Sequence, residues 1–137
     1  MKVGITCGKF DLIHPGYIIM LKEAKSVCDK LIIAIHKEPN GKENPVHTIE
    51  ERKMILEAIR YVDGVVVYQG EDELRKLLLA LKPDIRILGS DWKKGGFDAE
   101  DLNIPLYFNS REHDYSCSRL KNKIWEQNNK NLGDNHE

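Results

Sequence analysis

Cys7-Gly8-Lys9-Phe10-Asp11-Leu12-Ile13-His14-Pro15-Gly16-Tyr17 is the stretch whose reading decides the fold. Before it, Val3 to Cys7 is a short apolar run. After it, Ile18, Leu21, Ala24 and Cys28 recur at steps of three and four, the period of one buried helix face. The stretch is therefore a strand-to-helix turn, and Pro15 falls in the first helical turn, where proline is tolerated. A glycine-bearing turn at a helix start presents backbone N–H groups and a positive dipole end to an anion. His14 lies in that turn and can donate to a phosphate oxygen.

Outward from this turn, apolar runs and helical patterns alternate. Leu31–Ile35 is a second run, apolar on both faces as a buried parallel strand requires. A polar loop from Lys37 to Pro45 follows, rich in turn formers. Thr48-Ile49-Glu50-Glu51 has the capping-box pattern and opens a helix expected to bury Ile55, Ala58, Ile59 and Val62. Val65–Tyr68 is a third strand. Leu74, Leu77, Leu78 and Leu81 mark a helix from about Glu71, with Pro83 beyond its end. Ile85–Leu88 is strand four, stopping at Gly89. Ser90 to Asn103 reads as a loop with one helical turn, and Ile104–Phe108 as strand five. Ser116 or Ser118 caps a last helix, with Leu120 and Ile124 inward. The tail 128–137 is expected to be disordered, leaving one domain over 1–127.

The expected fold is therefore α/β, a single Rossmann-like domain with a five-stranded parallel sheet and helices on both faces. In such sheets ligands bind beyond the carboxyl ends of the strands, at the switch point. Gly8–Tyr17, Lys37–Pro45, Gly89–Trp92 and Arg111–Ser118 all follow strands and converge there.

A chain of 137 residues can bury a sufficient core without disulfides or metal. Lys and Arg number 21 against 22 Asp and Glu, a net charge of −1, which argues against a nucleic-acid or anionic-membrane binder. No run reaches the length of a membrane span. Cys7, Cys28 and Cys117 are odd in number and lack a C-x-x-C pair, as expected of reduced thiols in the cytoplasm. His36, His47, His113 and His136 have no metal-ligand spacing. Neither G-x-x-x-x-G-K-[ST] nor G-x-G-x-x-G occurs, so phosphate binding falls to the first turn and to side chains.

The block Gly8 to Gly16 resembles the front motif of the nucleotidyltransferase superfamily whose signature is His-x-Gly-His. Within it the likeness is to the small glycerol-3-phosphate cytidylyltransferase-like proteins. It is carried also by Glu50-Glu51-Arg52-Lys53, Ile59-Arg60-Tyr61-Val62-Asp63, Gly89-Ser90-Asp91-Trp92 and Arg111 through Ser118, over about residues 2–125. The resemblance implies a nucleoside triphosphate, CTP, with Mg²⁺ carried mainly by the triphosphate, and a small phosphorylated alcohol that attacks with release of pyrophosphate. ATP in place of CTP is one alternative. A nucleotide-binding protein without catalysis is another.

The site residues implied are Gly8, Lys9, Phe10, Asp11, His14, Gly16, Tyr17, Asp91, Trp92, Arg111, Ser116, Cys117 and Ser118 for the nucleotide. Lys42 and Arg60 are implied for the acceptor. His14 matches the first signature histidine, which steadies charge at the α-phosphorus, and Lys9, Lys42 and Arg111 supply further positive groups. Asp11 can orient the turn, the nucleotide or Mg²⁺. Arg60 and Asp63 match positions at a dimer interface, so a homodimer is expected. Three positions depart from the family pattern: Lys9 for a small or hydroxyl residue, Tyr17 for the second histidine, and Cys117 for threonine.

Overall fold

The reason for the two-faced sheet is visible in its second strand, where every residue from Leu31 to Ile35 is buried. Successive side chains point to opposite faces. Leu31, Ile33 and Ile35 enter one core with Leu21 and Ala24, while Ile32 and Ala34 enter another with Leu74 and Leu78. The computed structural model describes residues 1–37, 44–110 and 115–134, the last four as backbone only.

Five parallel strands, β1 (Val3–Gly8), β2 (Lys30–His36), β3 (Gly64–Tyr68), β4 (Ile85–Gly89) and β5 (Leu106–Asn109), lie in the order β3-β2-β1-β4-β5. Helices α1 (Pro15–Ser26) and α2 (Ile49–Glu57) contribute to the first core and α3 (Gly70–Leu81) to the second. The order reverses between β1 and β4, which places the switch point beside the Gly8–Tyr17 turn. The expected α/β class and parallel sheet are what the chain forms.

Local signals acted as expected at α2. Glu51 N–H donates to Thr48 Oγ1 at 3.1 Å and Thr48 N–H to Glu51 Oε1 at 2.9 Å, a complete capping box. The buried residues of this helix are different ones, Arg52 and Leu56, whereas Ala58 is exposed. On α1, Ile18 is exposed beside the buried Leu21 and Ala24. Ser90–Asn103 holds two 3-10 turns, Ser90–Trp92 and Glu100–Leu102, rather than one helical turn. Strand β5 begins after Pro105, whose carbonyl accepts from Arg86 N–H, and extends one residue past Phe108 to Asn109.

The last helix, α4, spans Cys117–Asp134, so the boundary drawn at 127 falls inside it. The tail expected to be disordered is helical as far as 134. Helical hydrogen bonds propagate at little cost once nucleated, and lack of apolar residues does not prevent it. Ile124, expected to face inward, is 52% exposed, and Trp125 beside it is exposed too.

Arg52 explains why α2 turns a charged residue to the core. It is 2% exposed; Nη1 donates to the carbonyls of Lys9 at 2.8 Å and His36 at 3.0 Å, and Nη2 to that of Lys37 at 2.8 Å. One guanidinium thus joins the carboxyl ends of β1 and β2. Burial presses its pKa down, and the nearby Asp11 charge opposes that. Arg52→Met should lower stability by about 1.5–3 kcal/mol, the range for hydrogen bonds to a charged group. Arg52→Lys should recover only part of it, because an ammonium cannot span three carbonyls. An unchanged urea midpoint in Arg52→Met would refute the role.

Candidate active site

Beyond the carboxyl ends of β1, β4 and β5 lies a cleft of about 280 Å³. Its described lining is Lys9, His14, Gly16, Tyr17 and Met20 from the first turn and α1, Gly89 after β4, Asn109 and Ser110 after β5, and Tyr115 to Ser118 at the start of α4. The N-terminal ends of two helices therefore face one space, where their positive dipole ends suit an anion.

The turn that delivers His14 is tight. Phe10 and Leu12 both have positive φ, 50° and 47°, a conformation costly for residues with a Cβ and concentrated at functional sites. A Cβ added at Gly8 would stand 3.2 Å from the Phe10 ring. Between the two strained residues Asp11 is fully buried, and its carboxylate accepts from Val46 N–H at 2.8 Å and His47 N–H at 2.9 Å. The bonds tie the first turn to the entry of α2. Burial alone would raise the Asp11 pKa; the amides of His47 and Val46, with the charges of Lys9 and Lys121, outweigh it and hold the pKa below the ordinary value. Of the three roles open to Asp11, orienting the turn is the one its geometry serves. A fully buried carboxylate with each oxygen on an amide is not placed to ligate Mg²⁺.

His14 is the N-cap of α1. Its Nδ1 accepts from Gly16 N–H at 3.1 Å, which in the neutral ring leaves the proton on Nε2. The ring lies between two tyrosines, 4.6 Å from the Tyr17 centroid and 6.3 Å from that of Tyr115.

Tyr17 and Cys117, two of the departures from the family pattern, touch each other. Tyr17 Oη and Cys117 Sγ are 3.6 Å apart, and Sγ also donates to the Asp11 carbonyl at 3.0 Å. Cys117 thus fastens the start of α4 to the first turn. Ser116 Oγ accepts from Arg119 N–H at 3.1 Å, so it caps α4 while lining the cleft.

Among the expected site residues, the cleft brings together Lys9, His14, Gly16, Tyr17, Ser116, Cys117 and Ser118. Gly8, Phe10 and Asp11 shape the turn behind it. Asp91 and Trp92 occupy the 3-10 turn after β4, outside the cleft lining, with Trp92 47% exposed. Arg60 is exposed beyond α2. Asp63 accepts from Leu31 N–H at 2.8 Å and pairs with Lys25 at 2.5 Å, within its own chain. Lys42 and Arg111 lie outside the described residues. No group of three His, Cys, Asp or Glu suited to a metal occurs among the described residues.

Met20, Asn109 and Ser110 line the cleft without having been expected there, while Tyr115 falls in the Arg111–Ser118 stretch that was. Asn109 follows from the rule that ligands meet strand carboxyl ends, once β5 is extended by one residue. Glu23 on α1 holds this strand end: its carboxylate accepts from Tyr107 Oη at 2.9 Å and from Ser110 N–H and Oγ at 3.1 Å each.

Residues 5–131 match the family described as Cytidylyltransferase-like, and the chain belongs to that family. It is 33% identical over 127 residues to the glycerol-3-phosphate cytidylyltransferase of Bacillus subtilis, covering 90% of this chain and 98% of the relative. It is 39% identical over 107 residues to the FAD synthase of Archaeoglobus fulgidus, covering 72% of this chain and 77% of the relative. To the bifunctional protein HldE of Gluconacetobacter diazotrophicus it is 40% identical over 98 residues, 68% of this chain but only one fifth (20%) of that relative's length. Among solved structures, the lipopolysaccharide core biosynthesis protein of Thermoplasma volcanium superposes with a TM-score of 0.71 at 25% identity, over 82% of this chain and 99% of that one. The family is one of nucleotidyltransferases, and the three thiols of this member are free. No helix among the described residues is long and apolar enough to cross a membrane.

The Asp11 hinge has a pH signature. A depressed carboxyl pKa contributes stability that is present above the unfolded value of about 3.9 and lost as pH falls through the folded one. Asp11→Asn should therefore cost about 1–3 kcal/mol at pH 7, since one buried amide loses its acceptor. That deficit should narrow below about pH 4, as the parent carboxylate takes up its proton. Urea unfolding at pH 7 and pH 3 measures both; an equal deficit at the two values would contradict the hinge.

Proposed function

We propose that this chain transfers CMP from CTP to a small phosphorylated alcohol of the glycerol-3-phosphate kind, releasing pyrophosphate. The observation that carries the reading is the cleft in which His14, Lys9, Ser116 and Ser118 meet two helix N-termini. The near-complete mutual coverage with a glycerol-3-phosphate cytidylyltransferase supports it.

In this reading an oxygen of the acceptor phosphate attacks the α-phosphorus, and the bond to the bridging oxygen breaks as pyrophosphate leaves. No protein nucleophile is needed. In this reading the His14 imidazole and the Lys9 ammonium, which both line the cleft, stabilise charge on the non-bridging oxygens. Ser116 and Ser118 hold the triphosphate at the start of α4. Arg111, and Lys42 and Arg60 toward the acceptor, complete the proposed positive lining. Mg²⁺ accompanies the triphosphate and neutralises part of its charge, with no side-chain cluster required.

ATP as donor is the second reading, favoured by the FAD synthase likeness, since FAD contains an adenylyl group. A third, a nucleotide-binding protein without catalysis, draws on the Tyr17–Cys117 contact, in which a bulkier side chain packs beside His14. Calorimetry and a pyrophosphate-release assay with CTP and ATP, against glycerol-3-phosphate and other small phosphate monoesters, separate the three. Heat and turnover with CTP are expected; a preference for ATP selects the second reading and binding without turnover the third. Absence of binding by either nucleotide at millimolar concentration refutes all of them.

Lys9 gives a sharper test, because it lines the cleft where Tyr17 replaces an imidazole. One donor to a developing oxyanion is worth roughly 2.7–4 kcal/mol. Lys9→Met should therefore lower kcat by at least about a hundredfold while changing nucleotide affinity less. Tyr17→His should partly restore that variant. An unchanged kcat in Lys9→Met would place Lys9 on the rim as a solvated lysine.

A homodimer belongs to the same proposal, with Arg60 near the partner. Light scattering should give twice the chain mass of 15.8 kDa. The monomer mass at every concentration tested would reject it.

A further inference from the structure

We propose that Glu23 is a positioning residue of the nucleotide site: from outside the cleft lining it fixes the distance between the two walls that hold the nucleoside. The inference rests on the nucleotide-binding reading above and goes beyond it, to a residue behind the site.

Gly16, Met20 and Glu23 follow one another at steps of four and three, which puts them on one face of α1. Gly16 and Met20 line the cleft; Glu23, the next in that row, does not. Its carboxylate is spent on the exit of β5 instead. Oε1 accepts from Ser110 N–H and from Ser110 Oγ, each at 3.1 Å, and Oε2 accepts from Tyr107 Oη at 2.9 Å. The Ser110 amide is also 3.2 Å from Oε2, so both oxygens share it. Among the described residues no lysine or arginine pairs with Glu23. It is not one half of a surface ion pair, then, but a carboxylate whose partners all belong to one strand end. The bond to Tyr107 shows in that residue's acidity: the Tyr107 pKa is raised, first by the hydrogen bond to Glu23, then by burial and the Glu23 charge.

What Glu23 holds is the opposite wall. Ser110 lines the cleft. Asn109 before it does so too, and pairs in register with Gly89 of β4, a third lining residue. One wall is therefore the α1 face of Gly16, Tyr17 and Met20, and the other is made by the ends of β4 and β5. Glu23 is a strut between them. It lies nine residues beyond His14, roughly 13 Å along the axis of α1. In the reading above the phosphates sit at the helix starts, where Lys9, His14, Ser116 and Ser118 line the cleft. The part of the nucleotide between Met20 and Ser110 is then the nucleoside.

Hydrogen bonds to an ionised carboxylate are stronger than those between neutral groups, so the strut sets the wall before the ligand arrives. Without it Ser110 and the strand end would be ordered only on binding, and affinity would carry that cost. The phosphate end has its own supports in Arg52 and Asp11 and would be left in place. Reach, not charge, is what a strut needs. Aspartate keeps the charge but is one methylene too short to meet both Tyr107 and Ser110. Glutamine keeps the length: its Oε1 can retain both Ser110 bonds while its NH₂ donates to Tyr107 Oη.

The test is calorimetry on the full chain with CTP, ATP and inorganic tripolyphosphate, all with Mg²⁺. For whichever nucleotide the parent binds, Glu23→Ala and Glu23→Asp should weaken binding by at least about tenfold. Glu23→Gln should stay within about threefold of the parent. Tripolyphosphate should bind all four proteins alike. In turnover, KM for the nucleotide should rise in Glu23→Ala and Glu23→Asp while kcat stays within about threefold. Glu23→Asp decides the matter if Glu23→Ala does not fold. A role in stability alone would lower the melting temperature and leave the nucleotide affinity of the folded variants at the parent value, which overturns the proposal. So would tripolyphosphate weakened as much as the nucleotide, or Glu23→Asp resembling the parent while Glu23→Gln does not. Those results leave the nucleotidyltransferase reading standing. A parent that binds neither CTP nor ATP overturns both together.

Discussion

The grip of one arginine on three carbonyls underlies the rest of the site. Arg52 reaches from α2 into the gap between β1 and β2 and holds the carbonyls of Lys9, His36 and Lys37. Strand ends splay where the ladder of hydrogen bonds stops, and the first turn begins at that point. With the Lys9 carbonyl held, the turn is free to take the left-handed conformations at Phe10 and Leu12 and still deliver His14 to the same place. A buried guanidinium carries a desolvation cost, which the three hydrogen bonds of Nη1 and Nη2 offset although Nε has no partner.

Asp11 acts as the second member of the same arrangement. Its carboxylate draws the Val46 and His47 amides toward the turn, so the entry of α2 and the exit of β1 share one charged pivot. The Asp11 charge also favours the ionised form of Arg52. The cleft is thus organised from below by buried charge, while its lining presents hydroxyls, a histidine and helix termini. Arg52 and Asp11 are both buried and stand behind the cleft lining rather than in it.

On the opposite side, Cys117 and Glu23 do comparable work at short range. Cys117 links α4 to the first turn through the Asp11 carbonyl and meets Tyr17. Glu23 fixes the end of β5 through Tyr107 and Ser110. Tyr17 and Cys117, the departures from the expected pattern at positions 17 and 117, meet each other in the wall of the cleft. This is a change in the wall of the site with the sheet beneath it intact.

Much was legible in the chain alone. The continuous apolar run Leu31–Ile35, period three and four after Gly16, the capping box at Thr48 and the turn around His14 determined the class of fold and the end of the sheet that carries the site, because these signals are local and act through burial and backbone hydrogen bonds. Tertiary structure decided what depends on distance across the sheet. Arg52 looks like a solvated helix residue until three carbonyls come within reach, and Asp11 looks like a ligand until two amides from residues 46 and 47 cover it. Asn109 lay one residue beyond the strand end read from hydrophobicity, since its amide joins the ladder while its side chain is polar. Ile124 shows the reverse: its spacing suited a core that α4 does not offer. Sequence pattern states which residues can be buried; only the packed chain determines what they are buried against.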